Sequence, residues 1–250
     1  MSKSRICDIY RFMEFHIYKE SLKATRWLLC LLAAIFLNAC ADNVVSIESE
    51  DSVTFTTLET SFPVSSQGDL RVKLRGSRTS GDYSQTVPDG KMILIGDTQI
   101  RGPTEVNGST DLTYASLSIG TDGMFGNTGM AAKWRGQMYF GAAQTNMDLT
   151  LIHEGDTYTT NDRTTEMYMQ VGIAYEIAPS LYGGGTWAFS VGPDLTGISE
   201  IDLKLDYALF RHLEVMGGYR WLKYDYLVEQ DESIINVKFN GLFIGLNVPF

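Results

Sequence analysis

Apolar side chains recur at every second position along the last sixteen residues, and phenylalanine closes the chain. The set is Ile235, Val237 and Phe239, then, across Asn240-Gly241, Leu242, Ile244, Leu246 and Val248 before Phe250. A period of two puts successive side chains on opposite faces of an extended strand, so the segment is a two-faced strand and not a helix. Six other segments repeat the arrangement. Ile201, Leu203, Leu205, Tyr207 and Leu209 alternate with Asp202, Lys204, Asp206 and Ala208. The odd residues of Met167–Ile177 alternate with Glu166, Tyr168, Gln170 and Glu176, and those of Leu181–Val191 with Tyr182, Thr186 and Ser190. Leu213–Trp221 carries Glu214, Met216 and Arg220 on its even face, and Leu70, Val72 and Leu74 alternate with Arg71, Lys73 and Arg75. Thr113, Ala115, Leu117 and Ile119 stand opposite Ser116 and Ser118. Each run is about ten residues, the length of a tilted strand that crosses a bilayer.

Two segments change phase. Apolar residues fall on even numbers at Met138, Phe140 and Ala142, then on odd ones at Met147, Leu149 and Leu151. The final strand shifts likewise between Phe239 and Leu242. A one-residue bulge in each restores the register; otherwise Trp134–Ile152 is two shorter pieces. Connections alternate in length: 178–180 and 211–212 read as tight turns, whereas 192–198, 227–233 and the polar stretch 153–163 read as longer loops. Eight strands result, at about 69–80, 109–119, 133–150, 164–177, 181–191, 199–210, 213–226 and 234–250. A long loop, 81–108, joins the first two, and its apolar piece Met92–Ile95 offers a further pair of strands, for ten. Residues 42–68 form an acidic, Ser/Thr-rich lead, within which Val53–Phe62 has the pattern to pair as a strand.

An apolar face of this kind suits both a soluble sandwich and a membrane barrel, and the two ends of the chain decide between them. Lys23 and Arg26 precede the apolar run Trp27–Leu37, which is too short to span a bilayer and has the form of a signal-peptide core. Ala39-Cys40-Ala41 is a small-x-small cleavage site that leaves residues 42–250 as the mature chain. Leu37-Asn38-Ala39-Cys40 also resembles a lipobox, which would leave Cys40 lipid-modified. The long stretch ahead of Lys23 puts the translational start at Met13 or later.

At the other end, an aromatic at Phe243, Gly245, and apolar residues at Val248 and Phe250 resemble the β-signal of bacterial outer-membrane barrels. The chain is therefore similar to the small barrels of OmpA, OmpX and OmpW type. That resemblance implies an all-β fold, a transmembrane antiparallel up-and-down barrel over residues 69–250. It also implies an outer-membrane address in a Gram-negative envelope. Its partners would be outer-membrane lipid, lipopolysaccharide and the barrel assembly machinery; the resemblance points to no extracellular partner.

Composition narrows the function. Six of 20 Lys/Arg and three of 30 Asp/Glu precede residue 42, leaving 14 against 27 and a formal charge of −13. So acidic a chain is a poor nucleic-acid binder, because basic charge supplies most of that affinity. Cys7, Cys30 and Cys40 all precede residue 42, so the mature chain has neither disulfide nor thiolate metal site. No phosphate loop, Cys/His metal spacing or dinucleotide fingerprint is present, and no cofactor is expected.

Three groups of residues are candidates for chemistry. The inward faces carry Arg71, Lys73, Arg75, Arg135, Lys204 and Arg220 against Glu166, Glu176, Asp202, Asp206 and Glu214. At eight strands the lumen is just wide enough for side chains to fill, so these charges would pair and plug it. His153, next to Glu154 at a strand–loop junction, resembles in position the histidine of outer-membrane lipid A deacylases, although no serine follows at strand spacing. His212 reads as a turn residue. Trp187, Tyr207, Tyr219, Trp221 and Phe250, with Tyr175, read as interfacial girdles. The expected function is a non-enzymatic structural or surface-interaction barrel. A narrow, porin-like pore for small or hydrophobic solutes and a lipid A-modifying enzyme using His153 are the alternatives.

Overall fold

A computed structural model of the 250-residue chain describes residues 44–49, 52–64, 70–95, 98–125, 130, 133–192, 196–210, 212–228 and 233–250. The expected signal peptide (1–41) and Cys40 lie outside the described residues. Twelve strands follow in order: β1 (Val44–Glu48), β2 (Val53–Pro63), β3 (Arg71–Val87), β4 (Met92–Ile95), β5 (Thr98–Arg101) and β6 (Thr104–Met124), then β7 (Trp134–His153), β8 (Asp156–Ala178), β9 (Leu181–Val191), β10 (Gly197–Phe210), β11 (Leu213–Val228) and β12 (Ser233–Pro249). Neighbours pair antiparallel from β2 through β3, β6, β7, β8, β9, β10 and β11 to β12, and β12 then pairs with β2. The sheet is thus a closed barrel, which leaves no open edge at that seam.

Nine strands form the barrel, not eight or ten. The ninth is β2, drawn from the lead that the resemblance left outside the barrel. The pair built on Met92–Ile95 does form, but β4 and β5 make a separate two-stranded hairpin. In an up-and-down sheet each strand reverses the last, so an odd count makes the first and last strands run the same way. The β2–β12 seam is accordingly parallel, from Val53↔Gly241 to Ser61↔Pro249. Strand β1 continues along the same edge, Val44↔Ile234 to Glu48↔Lys238. Phe250 and the end of β2 therefore share one rim, termed the Phe250 rim, and Val44 lies at the far rim.

Neither expected bulge exists. The β6–β7, β7–β8 and β11–β12 registers run unbroken through both phase changes. The apolar residues change face instead. Met138 and Phe140 point outward and are about half exposed (both 46%), while Met147, Leu149 and Leu151, farther along β7, are fully buried in the interior. On β12, Leu242, Ile244 and Leu246 are exposed, whereas Ile235, Val237 and Phe239 are buried. Register does shift at two other places, Glu176/Ala178 and Ala208/Phe210, both beside tight turns at the Phe250 rim.

Strands also run farther than expected toward the far rim. Residues 153–163 are not a loop: β7 and β8 continue to a two-residue turn at Glu154-Gly155, with φ of 54° and 91°. Positive φ at both central residues is the tight-hairpin geometry that matches strand twist. The 81–108 region is likewise mostly strand, paired from Gly81↔Thr110 to Val87↔Thr104. The apolar far-rim interior is one cluster in which Ile93 of β4 and Ile100 of β5 are buried with Phe55, Val106, Leu149 and Phe239.

Candidate functional site in the barrel lumen

Below that apolar cluster, toward the Phe250 rim, the lumen is polar. Inward positions of β2, β3, β10 and β11 put three acids and three bases at its centre. Arg220 lies at its middle, with a wholly buried side chain. It donates from Nε and Nη2 to the two carboxylate oxygens of Asp202, at 2.7 and 2.9 Å, and from Nη1 to Ser77 (2.7 Å) and Thr57 (3.1 Å). Its guanidinium also lies 4.8 Å from the Phe243 ring centre and 5.2 Å from that of Phe55. The planar fork suits this two-point grip on a carboxylate.

Arg75 joins the remaining acids. It reaches Glu200 at 2.5 Å, Glu59 at 3.0 Å and Asp202 at 3.3 Å, and donates to the Tyr168 hydroxyl at 3.3 Å. Tyr114 donates a short hydrogen bond to Glu200. Lys73 pairs with Glu59 at 2.9 Å and lies 5.0 Å from the Tyr139 ring centre. Desolvating six charges is costly, and mutual pairing with hydroxyl support is what offsets that cost. With every charge matched and no side chain more than slightly exposed, the centre of the lumen is filled.

Nearer the Phe250 rim the packing opens into a cavity of about 230 Å³. Charged side chains of both signs line it: Arg71, Arg135 and Lys204 with Asp122, Asp206 and Glu214, under a roof of Lys73 and Glu59. Two of its pairs are looser, Arg71–Asp122 and Arg135–Glu214, both 3.7 Å apart, whereas Lys204–Asp206 is close at 2.9 Å.

The eleven residues expected inside do not act as one network. Arg75, Asp202, Arg220 and Lys73 belong to the central knot. Arg71, Arg135, Lys204, Asp206 and Glu214 line the cavity. Glu166 is buried apart from both and accepts hydrogen bonds from Ser190 and, at 2.6 Å, Thr164. Glu176 is half-buried opposite Tyr182 at the rim. The pattern missed Glu59, Glu200, Tyr114 and Asp122, and it placed Tyr168 on the inward face without a role. Glu200 and Asp122 could have been found by carrying the even-numbered inward face one step past Asp202 and two past Ser118. Glu59 was hidden by leaving β2 outside the barrel.

Of the terminal motif, Phe243 and Gly245 face inward and Phe250 is exposed at the rim. Phe250 is held there: its ring stacks on Phe62 at 5.0 Å, its N–H donates to the Ser61 carbonyl, and its carbonyl accepts from Arg71 at 2.9 Å. Val248, one step before the last pleat, is half-buried. His212 is at the same rim, with Nδ1 3.0 Å from the Pro249 carbonyl. His153 stands at the far rim, directly opposite Asp156, with its Nδ1 buried and without a hydrogen-bond partner among the described residues.

Outward aromatics form two rows. Trp134 packs against Tyr175 (4.9 Å) near the Phe250 rim, where Tyr207 also lies. Trp187 packs against Phe189 (5.0 Å) and Tyr219 against Trp221 (4.7 Å) higher up. Between the rows the outer surface is aliphatic, with Leu203, Leu205, Ile244 and Ile173 each about half exposed. Among the described residues no cluster of His, Cys, Asp and Glu has the form of a metal site. Comparison with protein families, with characterised proteins and with solved structures finds no match to this chain.

Proposed function

We propose that this chain is an integral outer-membrane β-barrel of a Gram-negative envelope, with a structural or surface-interaction role and no catalysis. The observation that carries the reading is the outer surface near the Phe250 rim. Most barrel strands there expose aliphatic residues, among them Leu74, Leu117, Ile173, Leu203 and Ile244, with aromatic rows to either side, which is the dress of a strand facing lipid. Water would make such a belt costly, at about 25 cal/mol for each Å² left exposed. On this reading the Phe250 rim faces the periplasm, and the far half projects beyond the outer leaflet. Outer-membrane lipid and lipopolysaccharide surround the belt, and the barrel assembly machinery reads Phe243, Gly245, Val248 and Phe250. Nine strands set it apart from the eight that the OmpA, OmpX and OmpW resemblance implies.

The lumen favours this role over a pore. A charge-paired centre stacked against an apolar far half leaves a small solute no wet path to follow. A lipid A-modifying site would need a serine hydroxyl beside His153, and the residue opposite it is Asp156. The test is expression with its leader in a Gram-negative host. The chain should stay with carbonate-washed outer membranes and give no conductance in planar bilayers. Recovery as a detergent-free soluble monomer would end the membrane reading, and steady conductance would end the closed-lumen one.

A further inference from the structure

The cavity at the Phe250 rim contains unused hydrogen-bonding capacity of both signs. Arg135 lies flat on the Tyr182 ring, 3.5 Å from its centre, which fixes the guanidinium plane. Glu214, its nearest acid, is 3.7 Å away, too far for a hydrogen bond, and Glu214 already accepts one from Asn247 Nδ2 at 2.8 Å. Arg135 thus has no hydrogen-bonded acceptor among the described residues, although five N–H donors are available on a guanidinium. Two acceptors, on β10 and β12, are in the converse position. Asp206 Oδ1 and Asn247 Oδ1 are both buried without a donor, and both residues line the cavity. Buried polar atoms are paired as a rule, and exceptions call for a reason.

Strand register brings these groups to one wall. Asp206 is the direct cross-strand neighbour of Tyr182, the ring on which Arg135 rests. Asn247 is opposite Glu214, the loose partner of that same arginine. A stacked cation with free donors therefore stands beside two acceptors that lack one, in a space of about 230 Å³ open at the rim.

We propose that this cavity binds a small zwitterion, a molecule with one carboxylate and one ammonium on neighbouring carbons, such as a free amino acid. Arg135 grips the carboxylate with its fork. Asp206 Oδ1 and Asn247 Oδ1 accept from the ammonium. A ligand of net charge zero also suits walls whose own charges nearly balance, since it satisfies both sets without adding an unpaired charge to a partly enclosed site. The membrane reading decides only which compartment supplies the ligand. The site itself does not rest on that reading.

The test is calorimetric titration of the purified full-length protein in detergent micelles with L-alanine, L-alaninamide and N-acetyl-L-alanine. L-alanine should bind saturably, and each blocked probe, lacking one of the two charges, at least tenfold more weakly. Arg135→Gln and Asp206→Asn should each weaken L-alanine binding at least tenfold. Arg78→Gln, on the outer wall toward the far rim, should leave it unchanged. Heat-modifiable gel mobility reports folding for every variant. If Arg135→Gln does not fold, Arg135→Lys, which keeps the charge but loses the fork, should still cost at least threefold. No saturable binding of L-alanine, equal binding of a blocked probe, or wild-type affinity in the folded variants would each overturn the proposal.

Discussion

The two halves of this barrel are built from the same strands with opposite dress. Near the Phe250 rim, aliphatic residues such as Leu203 and Ile244 point out and Arg220, Asp202 and Glu59 point in. Toward the far rim, Asn146, Asp148, Arg163 and Asn161 stand on the outer face, and Leu149, Val106 and Phe239 fill the interior. The pleat is continuous between them, so the swap is achieved purely by which parity carries the apolar residues. The lower half has the distribution of a barrel in lipid, and the upper half that of a small barrel in water. The parity changes between Ala142 and Met147 and between Phe239 and Leu242, which on the membrane reading marks the passage from lipid to water.

Stability measurements can break or sharpen that contrast, beginning with the lower interior. Arg220→Ala removes the cation at the middle of the knot and leaves Asp202 short of its main partner. The expected loss is about 3–5 kcal/mol, read as a lowered urea midpoint in detergent micelles. In the upper interior, Leu149→Ala should cost about 2–5 kcal/mol as an apolar cavity, in the same assay. A loss there well under 1 kcal/mol would mean that the far half is not a packed core. The outer face gives the most direct comparison. Leu203→Arg should cost about 2–4 kcal/mol for refolding into bilayers, whereas Asn146→Arg should stay within about 0.5 kcal/mol. Equal effects at the two positions would erase the distinction between the halves. Smallest of the expected losses is at the turn that tips the far half: Gly155→Ala, at φ 91°, should cost about 1 kcal/mol, above the near-zero effect of Asn146→Arg.

This contrast also explains what the sequence could and could not convey. Ile201–Phe210 was legible because one arrangement, apolar-out and charged-in, holds along its length. The faces of Met167–Ile177 and Leu213–Trp221 were legible for the same reason. In β7 and β12 the apolar residues pass from the outer face to the interior, and a reading that assumes a single polar interior turns that passage into a bulge. The hairpin at 153–163 was illegible because Thr157, Thr159, Asn161 and Arg163 are polar and outward, which resembles a loop by composition alone. β2 has a strand's pattern over Val53–Phe62, yet its place in the barrel was illegible for a different reason. Its partner on one side is β12, about 190 residues away, and no local pattern reports a pairing at that separation. Losing β2 lost Glu59, and with it the acid that joins Lys73 to Arg75. The cavity at the rim was partly visible, since Arg135, Asp206 and Glu214 were all expected inside. Which donors and acceptors stay unused there depends on ångström-scale geometry that spacing cannot supply.

The parallel seam has a consequence for traffic across the barrel wall. A single-chain cylinder with an even strand number brings its two termini back to the same surface; this one sends them to opposite surfaces. On the membrane reading, an epitope placed just ahead of Val44 and one fused behind Phe250 would report different compartments, and antibody access on intact cells would register only one of them. Contacts made ahead of β1 would then be segregated from whatever recognises the final phenylalanine.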